Sequence, residues 1–314
     1  MFKIIFLLLF SLNILDAIDI KPSLHFHSVG FVTDFVIEGK YLYASTDRGT
    51  IDIFDIDTQK IVHQVSLEPI MAFDGEIVAR NISSVDILNG KILFVSQAQD
   101  GYRDVWTYEN YELKKISKKE NRLLIKEARF ITKEKILFAT FDSDIILYDT
   151  KEKFEVYKQH VSFSALKDIT LNKLKTQVIM SDESGTIKIL NIKDASLQQE
   201  LNSENVDNVY HVASAKSTII TGGQDRRVAV YQKGKASYHL KSDFFVYCVG
   251  ISPDATLGIY SRGDESLQVF DIKSKEKKYK LVGHTSLINQ IKFINNKELY
   301  SSQRGTDILF WKLP

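Results

Sequence analysis

The chain has a single cysteine, Cys248, and therefore cannot form a disulfide within itself. Cys248 lies in the apolar run FFVYCVGI, which is typical of a strand. We interpret it as a buried small hydrophobic side chain, the alternative being a reactive thiol. No cysteine stands directly after the N-terminal apolar segment, so a lipid anchor on a cysteine at that place is excluded.

The chain also has almost no net charge. Its lysines and arginines, 41 in all, nearly balance 40 aspartates and glutamates, so the overall charge does not attract nucleic acid or a membrane surface. A hydrophobic content of 44% and a charged content of 26% are ordinary for a soluble globular protein and argue against disorder. Any charged site must therefore be local.

A long hydrophobic run occurs only at the N-terminus, in MFKIIFLLLFSLNILDA. Lys3 precedes an apolar stretch from Ile4 to Leu12, and the segment ends on a small residue. This pattern predicts a secretory signal peptide over residues 1–17, cleaved after Ala17. The run is shorter than the roughly 20 residues that a spanning helix needs. We expect no stable membrane anchor, although an uncleaved anchor is the alternative.

What the chain has in quantity is self-similarity at a period of about 41 residues. An apolar strand ends in small or polar residues, a turn holds Asp or Gly, and a second strand alternates up to an aromatic residue or a leucine, as in LYASTDRGTIDIFD (42–55) and IITGGQDRRVAVYQ (219–232). Further copies span 136–149, 178–191, 258–271 and 299–312, with a stretched one at 92–109. The aligned positions are Phe54, Tyr108, Tyr148, Leu190, Tyr231, Phe270 and Trp311.

Seven such units, each rich in period-two alternation, predict four strands per unit and seven units in a ring. The predicted fold is an all-β, seven-bladed β-propeller that occupies residues 18–314 as one domain. Helical solenoids of similar period need apolar residues spaced by 3.6, which the alternating stretch from Thr186 to Ile189 does not provide.

The last repeat resembles the WD40 family. It carries the Gly283-His284 pair, and Trp311 follows the histidine at the family's tryptophan position. The resemblance implies that an aspartate, a histidine, a serine or threonine and the aromatic residue form a polar chain that stabilises the blade. No repeat of this chain keeps all four residue types, since Gly305 replaces the aspartate in the last one.

The fifth repeat matches the same family pattern without a gap, with Asp225 at the turn aspartate and Thr221 and Tyr231 at the partner positions. We predict that Asp225 is structural and accepts backbone N–H groups across its turn. A catalytic or metal-binding role is the alternative.

The seventh repeat ends at Trp311 after its third predicted strand. Leu24 to Ser28 alternates as a fourth strand would, and His27 precedes Phe54 by the spacing that separates His284 from Trp311. The sequence therefore predicts that an N-terminal strand within residues 22–29 joins the last blade and closes the ring, which removes an open sheet edge.

Motifs for catalysis and metal binding are missing from the sequence. Zinc-ligand spacings, a His-Glu-x-x-His motif, a Gly-x-Ser-x-Gly elbow and a phosphate-binding glycine loop are all absent. His25 and His27 share one strand face, and we interpret them as ordinary strand residues because no carboxylate or cysteine accompanies them in sequence. We expect no catalytic residue, metal or cofactor. A propeller enzyme with a site in the central channel is the alternative.

The chain has nine arginines against thirty-two lysines, and six of the nine fall in the turn between the second and third strands of their repeats: Arg48, Arg103, Arg226, Arg227, Arg262 and Arg304. These turns share one face of a propeller. Arginine binds carboxylates bidentately and stacks on aromatic rings, so we predict a protein-binding face, with a merely solvated set of turns as the alternative.

The first connection between repeats, residues 68–80, is unusually long and contains Met71 and Phe73. It should emerge on the same face as the arginines. Apolar side chains on such a loop either plug the loop itself or contact a partner. We include Met71 and Phe73 in the predicted protein-binding site.

These features predict an exported, non-catalytic protein-binding scaffold, monomeric and without nucleic acid as a partner. A short signal and a composition rich in Lys, Ile and Asn indicate a bacterial periplasm. In its signal peptide, length and degenerate WD40 repeats, the chain resembles the NapL-type accessory proteins of periplasmic nitrate reductase systems. That resemblance implies assistance to the maturation or activity of the reductase through contact with one of its subunits. An envelope assembly scaffold is a further alternative.

Overall fold

The computed structural model describes residues 18–72, 74–116 and 123–314. The predicted signal peptide, residues 1–17, and Phe73 of the predicted binding site lie outside the described residues. Within the described ranges, no helix combines the length and apolarity that a membrane span requires.

Seven sheets form a ring, six with four strands and one with five, so the predicted seven-bladed β-propeller is confirmed. Two strands precede the first blade, β1 (Ile18–Ile20) and β2 (Leu24–His27). Blade 1 contains β3 (Val32–Glu38), β4 (Tyr41–Thr46), β5 (Thr50–Asp55) and β6 (Lys60–Ser66). A small hairpin follows, made of β7 (Ile70–Met71) and β8 (Ile77–Val78).

Blades 2 to 4 follow in chain order. Blade 2 contains β9 (Ile82–Leu88), β10 (Lys91–Gln97), a 3₁₀ turn (Gln99–Gly101), β11 (Arg103–Glu109) and β12 (Glu112–Lys115). Blade 3 contains β13 (Ile125–Phe130), β14 (Lys135–Thr140), β15 (Asp144–Asp149) and β16 (Phe154–His160). Blade 4 contains β17 (Leu166–Leu171), β18 (Gln177–Asp182), β19 (Ile187–Asn191) and β20 (Leu197–Leu201).

Blades 5 to 7 complete the ring. Blade 5 contains β21 (Val209–Ala215), β22 (Thr218–Gly223), β23 (Arg227–Gln232) and β24 (Tyr238–Lys241). Blade 6 contains β25 (Val249–Ile251), β26 (Leu257–Ser261), β27 (Leu267–Asp271) and β28 (Lys277–Leu281). The chain's own last strands in blade 7 are β29 (Ile288–Phe293), β30 (Glu298–Gln303) and β31 (Asp307–Lys312).

The core lies between neighbouring sheets, which pack face to face. The middle strands of a blade are covered on both faces, and every residue of β5 is buried, whereas the outer strand β6 is mostly exposed. Between blades 1 and 2, for example, Tyr43 and Ile53 pack with Val85 and Phe94. This two-sided burial explains why the middle strands are almost continuously apolar.

The ring closes as the sequence predicts. Strand β2 pairs antiparallel with β31, in the register Leu24↔Phe310 to His27↔Asp307, and supplies the fourth strand of blade 7. Phe26 is fully buried there, with its ring 5.6 Å from that of Phe54. Strand β1 was not predicted: it pairs in parallel with β28 and gives blade 6 a fifth strand.

The strand order defines two faces and a channel. First strands of neighbouring blades contact one another along the channel, as β3 does with β9, β9 with β13 and β17 with β21. One face, called here the arginine face, carries the connections between blades and the turns between second and third strands: 47–49, 98–102, 141–143, 183–186, 224–226, 262–266 and 304–306. The opposite face carries the remaining turns.

Candidate binding face and central channel

Three of the predicted arginines are exposed on the arginine face: Arg48, Arg226 and Arg304. Within the described part of the chain, no hydrogen bond or ion pair is found for their guanidinium groups. Such groups keep their donors available for a carboxylate or an aromatic ring of another molecule.

The other three predicted arginines have partners in the chain. Arg103 donates to the carbonyls of Gly101 and Tyr102 at 3.0 and 3.1 Å, and its guanidinium lies 5.6 Å from the centre of the Phe141 ring. Arg227 begins β23 and donates to the carbonyl of Glu204 at 2.6 Å.

Arg262 is the third arginine of this group. Its nitrogens lie 3.8 Å from Asp243 and 3.6 Å from Asp264. Exchanging it would therefore disturb the protein itself as well as any interface. The structure thus divides the predicted arginines into an exposed trio and a trio with internal contacts.

The long first connection folds as the β7–β8 hairpin on the same face. Ile70 is buried beneath it, whereas Met71 and Ile77, paired across the hairpin, are 58% and 77% exposed. Arg80 holds the base of the hairpin through bonds to the carbonyl of Glu68 at 2.9 Å and to Asp104 at 3.1 Å. The hairpin therefore has one buried apolar side chain, that of Ile70, and two exposed ones, those of Met71 and Ile77.

Exposed apolar side chains also occur on other connections of this face, which sequence reasoning missed. They are Val29 and Phe31 before blade 1, Phe163 before blade 4, Val206 before blade 5 and Phe244 before blade 6. Phe163 is fully exposed. The connections that hold them differ in length and sequence, so only their shared place in the repeat could have revealed them.

An aromatic cluster lies beside Arg226. The rings of Tyr210 and Tyr247 stack at 5.4 Å, and Phe244 and Phe245 lie 5.1 Å apart next to them. A depression of about 460 Å³ separates Arg226 from the two phenylalanines. The strand interpretation of FFVYCVGI was wrong for its first part, because β25 begins only at Val249 and the aromatic residues belong to the connection before it.

Asp225 occupies the turn of blade 5 and accepts the backbone N–H groups of Val206 and Arg227, each at 3.0 Å. The side-chain nitrogen of Asn205 lies 3.5 Å from the Asp225 carboxylate. The side-chain oxygen of Asn205 accepts from Thr221 at 2.7 Å and from Tyr231 at 3.2 Å. Blade 5 therefore has a polar chain in which an asparagine takes the place of the histidine.

Blade 7 has a similar polar chain. The Ser301 hydroxyl lies 2.7 Å from Nε2 of His284 and accepts from Trp311 at 2.8 Å. Nδ1 of His284 lies 3.0 Å from Oε1 of Gln303, which takes the place of the missing turn aspartate. Burial lowers the pKa of His284 to about 4, so the imidazole is neutral.

His25 and His27 both contact Asp307, each at 2.9 Å, across the closing strand pair. A carboxylate does accompany these histidines, contrary to the sequence argument, because it comes from the other end of the chain. Burial acts to raise the pKa of Asp307, but hydrogen bonds from His27 and His25 hold it below its usual value. Among the described residues, no group of three or more such side chains is arranged to hold a metal ion.

The central channel contains charged residues that the sequence search did not find. Six first strands have a β-bulge at the same place, and the residue after it is polar: Asp34, Ser84, Glu127, Asp168, His211 and Gln290. Several of them bind the next blade, as Asp34 and Asp168 do by accepting the amides of Val85 and Val212. Arg129 and Lys292 lie among them.

The fold defines the class of protein: a seven-bladed β-propeller, consistent with a WD40-like arrangement. No protein-family model matches the chain, and a search of curated proteins finds no match.

Proposed function

We propose that the protein is an exported, non-catalytic scaffold that binds a partner protein on its arginine face. One observation carries this proposal: among the described residues, five connections between blades expose a large apolar side chain on that face, at residues 28–31, 67–81, 161–165, 202–208 and 242–248. Loops that face only solvent do not need such side chains, and protein interfaces combine apolar anchors with arginine.

The exposed trio of arginines supports the same proposal. Arg226 and the aromatic cluster around Phe244 form a compact group of the two residue types that most often carry binding energy at interfaces. Arg48 lies close to the connection that exposes Phe31. Its neighbour Asp47 accepts the backbone N–H of Phe31 with its carboxylate and donates its own backbone N–H to the carbonyl of Phe31. Apolar contact and charge are therefore placed side by side.

The finer proposal is that the protein works in a bacterial periplasm and assists a nitrate reductase system, as the NapL-type accessory proteins do. Its support is the N-terminal segment MFKIIFLLLFSLNILDA and the degenerate WD40-like repeats. The partner would then be a subunit of the periplasmic reductase.

Site-specific photo-cross-linking in intact cells tests both levels of the proposal. A benzophenone amino acid at Phe163, on the arginine face, should give a cross-linked species whose partner is identified by mass spectrometry. The matched control is the same amino acid at Phe154, which is 51% exposed on an outer strand. Equal cross-linking of the same partner from both positions would contradict the binding face.

The arginines are tested in the same cells with Arg48→Glu, Arg226→Glu and Arg304→Glu combined. We expect the Phe163 cross-link to fall at least about tenfold, because charge reversal at an interface removes favourable pairs and adds repulsion. If the cross-linked partner is a protein other than a reductase subunit, the proposal of a protein-binding scaffold stands and the proposal of a nitrate reductase partner is contradicted.

A further inference from the structure

The turns on the face opposite the arginine face are rich in lysine in blades 3 to 5. They span residues 131–134, 150–153, 172–176, 192–196, 216–217 and 233–237. Together these six turns, called here the lysine arc, hold nine lysines, no arginine and three carboxylates, those of Glu134, Glu152 and Asp194. Because the whole chain has a net charge of only +1, the arc is a strong local excess of positive charge.

The protein itself does not neutralise the lysines of the arc. Eight of the nine are exposed, and within the described part of the chain none of these eight forms an ion pair, a side-chain hydrogen bond or a contact with an aromatic ring. The ninth, Lys175, donates to the carbonyl of Phe130 at 2.6 Å. Asp194 is turned back onto its own turn, where it accepts the N–H of Ser196 at 3.0 Å and the hydroxyl of Ser196 at 2.6 Å.

The arginine face of the same three blades has the opposite sign of charge. Its turns 141–143, 183–186 and 224–226, with the connections 161–165 and 202–208, hold five carboxylates and one arginine, Arg226. Blades 3 to 5 therefore carry a charge dipole directed from one face of the ring to the other. Such a dipole turns one face of a protein toward a charged surface.

Two exposed leucines accompany the lysines. Leu174 lies between Lys173 and Lys175 in its turn and is 79% exposed, and Leu197 begins β20 directly after turn 192–196 and is 53% exposed. Segments that bind at a membrane surface combine these two residue types, because leucine enters the boundary between headgroups and acyl chains while lysine contacts the lipid phosphates. Lysine stems lie along apolar surface and keep their ammonium groups in water, so both residue types fit one interface.

The residue types of the arc favour a lipid surface over other polyanions. Proteins that bind single-stranded nucleic acid stack bases on aromatic side chains, and those that read duplex DNA use arginine on guanine. The six turns contain neither an aromatic residue nor an arginine. Protein interfaces are also enriched in arginine and depleted in lysine. A fluid layer of lipid phosphates requires no fixed pairing geometry, which suits the point charge of lysine.

We propose that the lysine arc docks the protein reversibly on a membrane surface of anionic phospholipid, with Leu174 and Leu197 entering the headgroup region. This docking uses surface charge and two side chains, so it needs no spanning segment and agrees with the expectation of no stable membrane anchor. It is independent of the proposed protein-binding face, which then points away from the lipid and remains accessible to a partner.

Co-sedimentation with vesicles tests the proposal on residues 18–314, which contain the whole propeller and omit the apolar N-terminal segment. We expect vesicles of phosphatidylglycerol and phosphatidylethanolamine in equal parts to bind the protein at least about tenfold more tightly than vesicles of phosphatidylcholine. Raising the salt concentration from about 0.05 M to about 0.5 M should weaken this binding at least about tenfold, because salt screens the lysines. Equal affinity for both kinds of vesicle would overturn the proposal, as would binding to a DNA duplex or to polyglutamate without binding to the anionic vesicles.

Charge-reversal variants assign the surface. Lys173→Glu, Lys193→Glu and Lys233→Glu combined should weaken binding to the anionic vesicles at least about tenfold. The matched control combines Arg48→Glu, Arg226→Glu and Arg304→Glu, which changes the net charge by the same amount on the other face and should leave the affinity within about twofold. Equal losses in the two proteins would contradict docking through the arc.

Leu174→Ser tests the apolar contribution, because it leaves every charge in place. It should weaken binding to the anionic vesicles at least about threefold and leave the salt dependence unchanged. Unchanged binding by Leu174→Ser would contradict the entry of this side chain into the headgroup region. The comparison of the two kinds of vesicle on the unaltered protein decides the proposal even if a variant does not fold.

Discussion

At the scale of single residues, neighbours in one turn have different tasks. Asp225 uses its carboxylate within the protein, whereas Arg226 next to it points its guanidinium to solvent. Arg226 also has a left-handed backbone, with φ of 60°, and the equivalent positions hold Gly49 and Gly185 in blades 1 and 4 but Ser143 and Glu265 in blades 3 and 6. Arginine at such a position is less favourable than glycine.

This difference predicts opposite effects on stability. Asp225→Ala should lower the free energy of unfolding by about 1–3 kcal/mol, because two backbone N–H groups lose their acceptor. Arg226→Gly should leave it unchanged or raise it by up to about 1 kcal/mol, since glycine adopts the left-handed conformation without cost. Denaturant unfolding measures both. A loss with Arg226→Gly as large as that with Asp225→Ala would mean that the guanidinium has a structural partner.

At the scale of strands, the ends of the chain show which pairings a sequence reveals. Strand β2 could be predicted because LHFH alternates and its histidine keeps the spacing of the repeat. Strand β1 could not be predicted, because it has only three residues and pairs in parallel with β28. The two strands are far apart in sequence, so no turn signal indicates that they pair. The first part of FFVYCVGI failed for another reason, since apolar residues on a connection look the same as those of a strand.

The closing strand should matter more to stability than the added strand. Phe26→Ala removes a fully buried ring from the cluster that includes Phe35, Phe54 and Tyr300, and should cost about 3–5 kcal/mol. The control is Ile18→Ala in β1, at a side chain that is 61% exposed and should cost little. Thermal unfolding compares the two. Similar losses would show that β1 contributes to ring closure as much as β2.

At the scale of the whole molecule, the ring brings together residues that no local motif connects. The arginine face could be predicted because its turns align in every repeat, and the repeats are visible in sequence. The channel could not, because Asp34, Glu127, Asp168 and His211 come from four repeats and the turns that follow them differ in length. Aligning the residue after each bulge would have revealed them, but a bulge is visible only once the strand pairing is known.

Buried groups of the channel and of blade 7 set how stability depends on pH. His211 and His284 have pKa values lowered from 6.5 to about 4, so the unfolded chain binds more protons and their contribution is lost as the pH falls from 6.5 to 4. Glu127 and Asp168 act with the opposite sign. Burial raises the pKa of Glu127 to about 7 and that of Asp168 to about 6. Their contribution to the free energy of unfolding is therefore complete in acid and is lost as the pH rises through these values.

Because the two pairs oppose each other, removing one acid should expose the slope due to the histidines. Between pH 4.5 and 7, the free energy of unfolding of Glu127→Gln should rise by about 3 kcal/mol more than that of the unaltered protein. His284→Gln should show the reverse, since it loses a contribution that rises with pH. Denaturant unfolding at a series of pH values measures these slopes, and the comparison is unaffected by any constant loss from breaking the contact with Arg129. Parallel curves for Glu127→Gln and the unaltered protein would mean that Glu127 is ionised throughout in the folded state, and that the positive charge of Arg129 outweighs its burial.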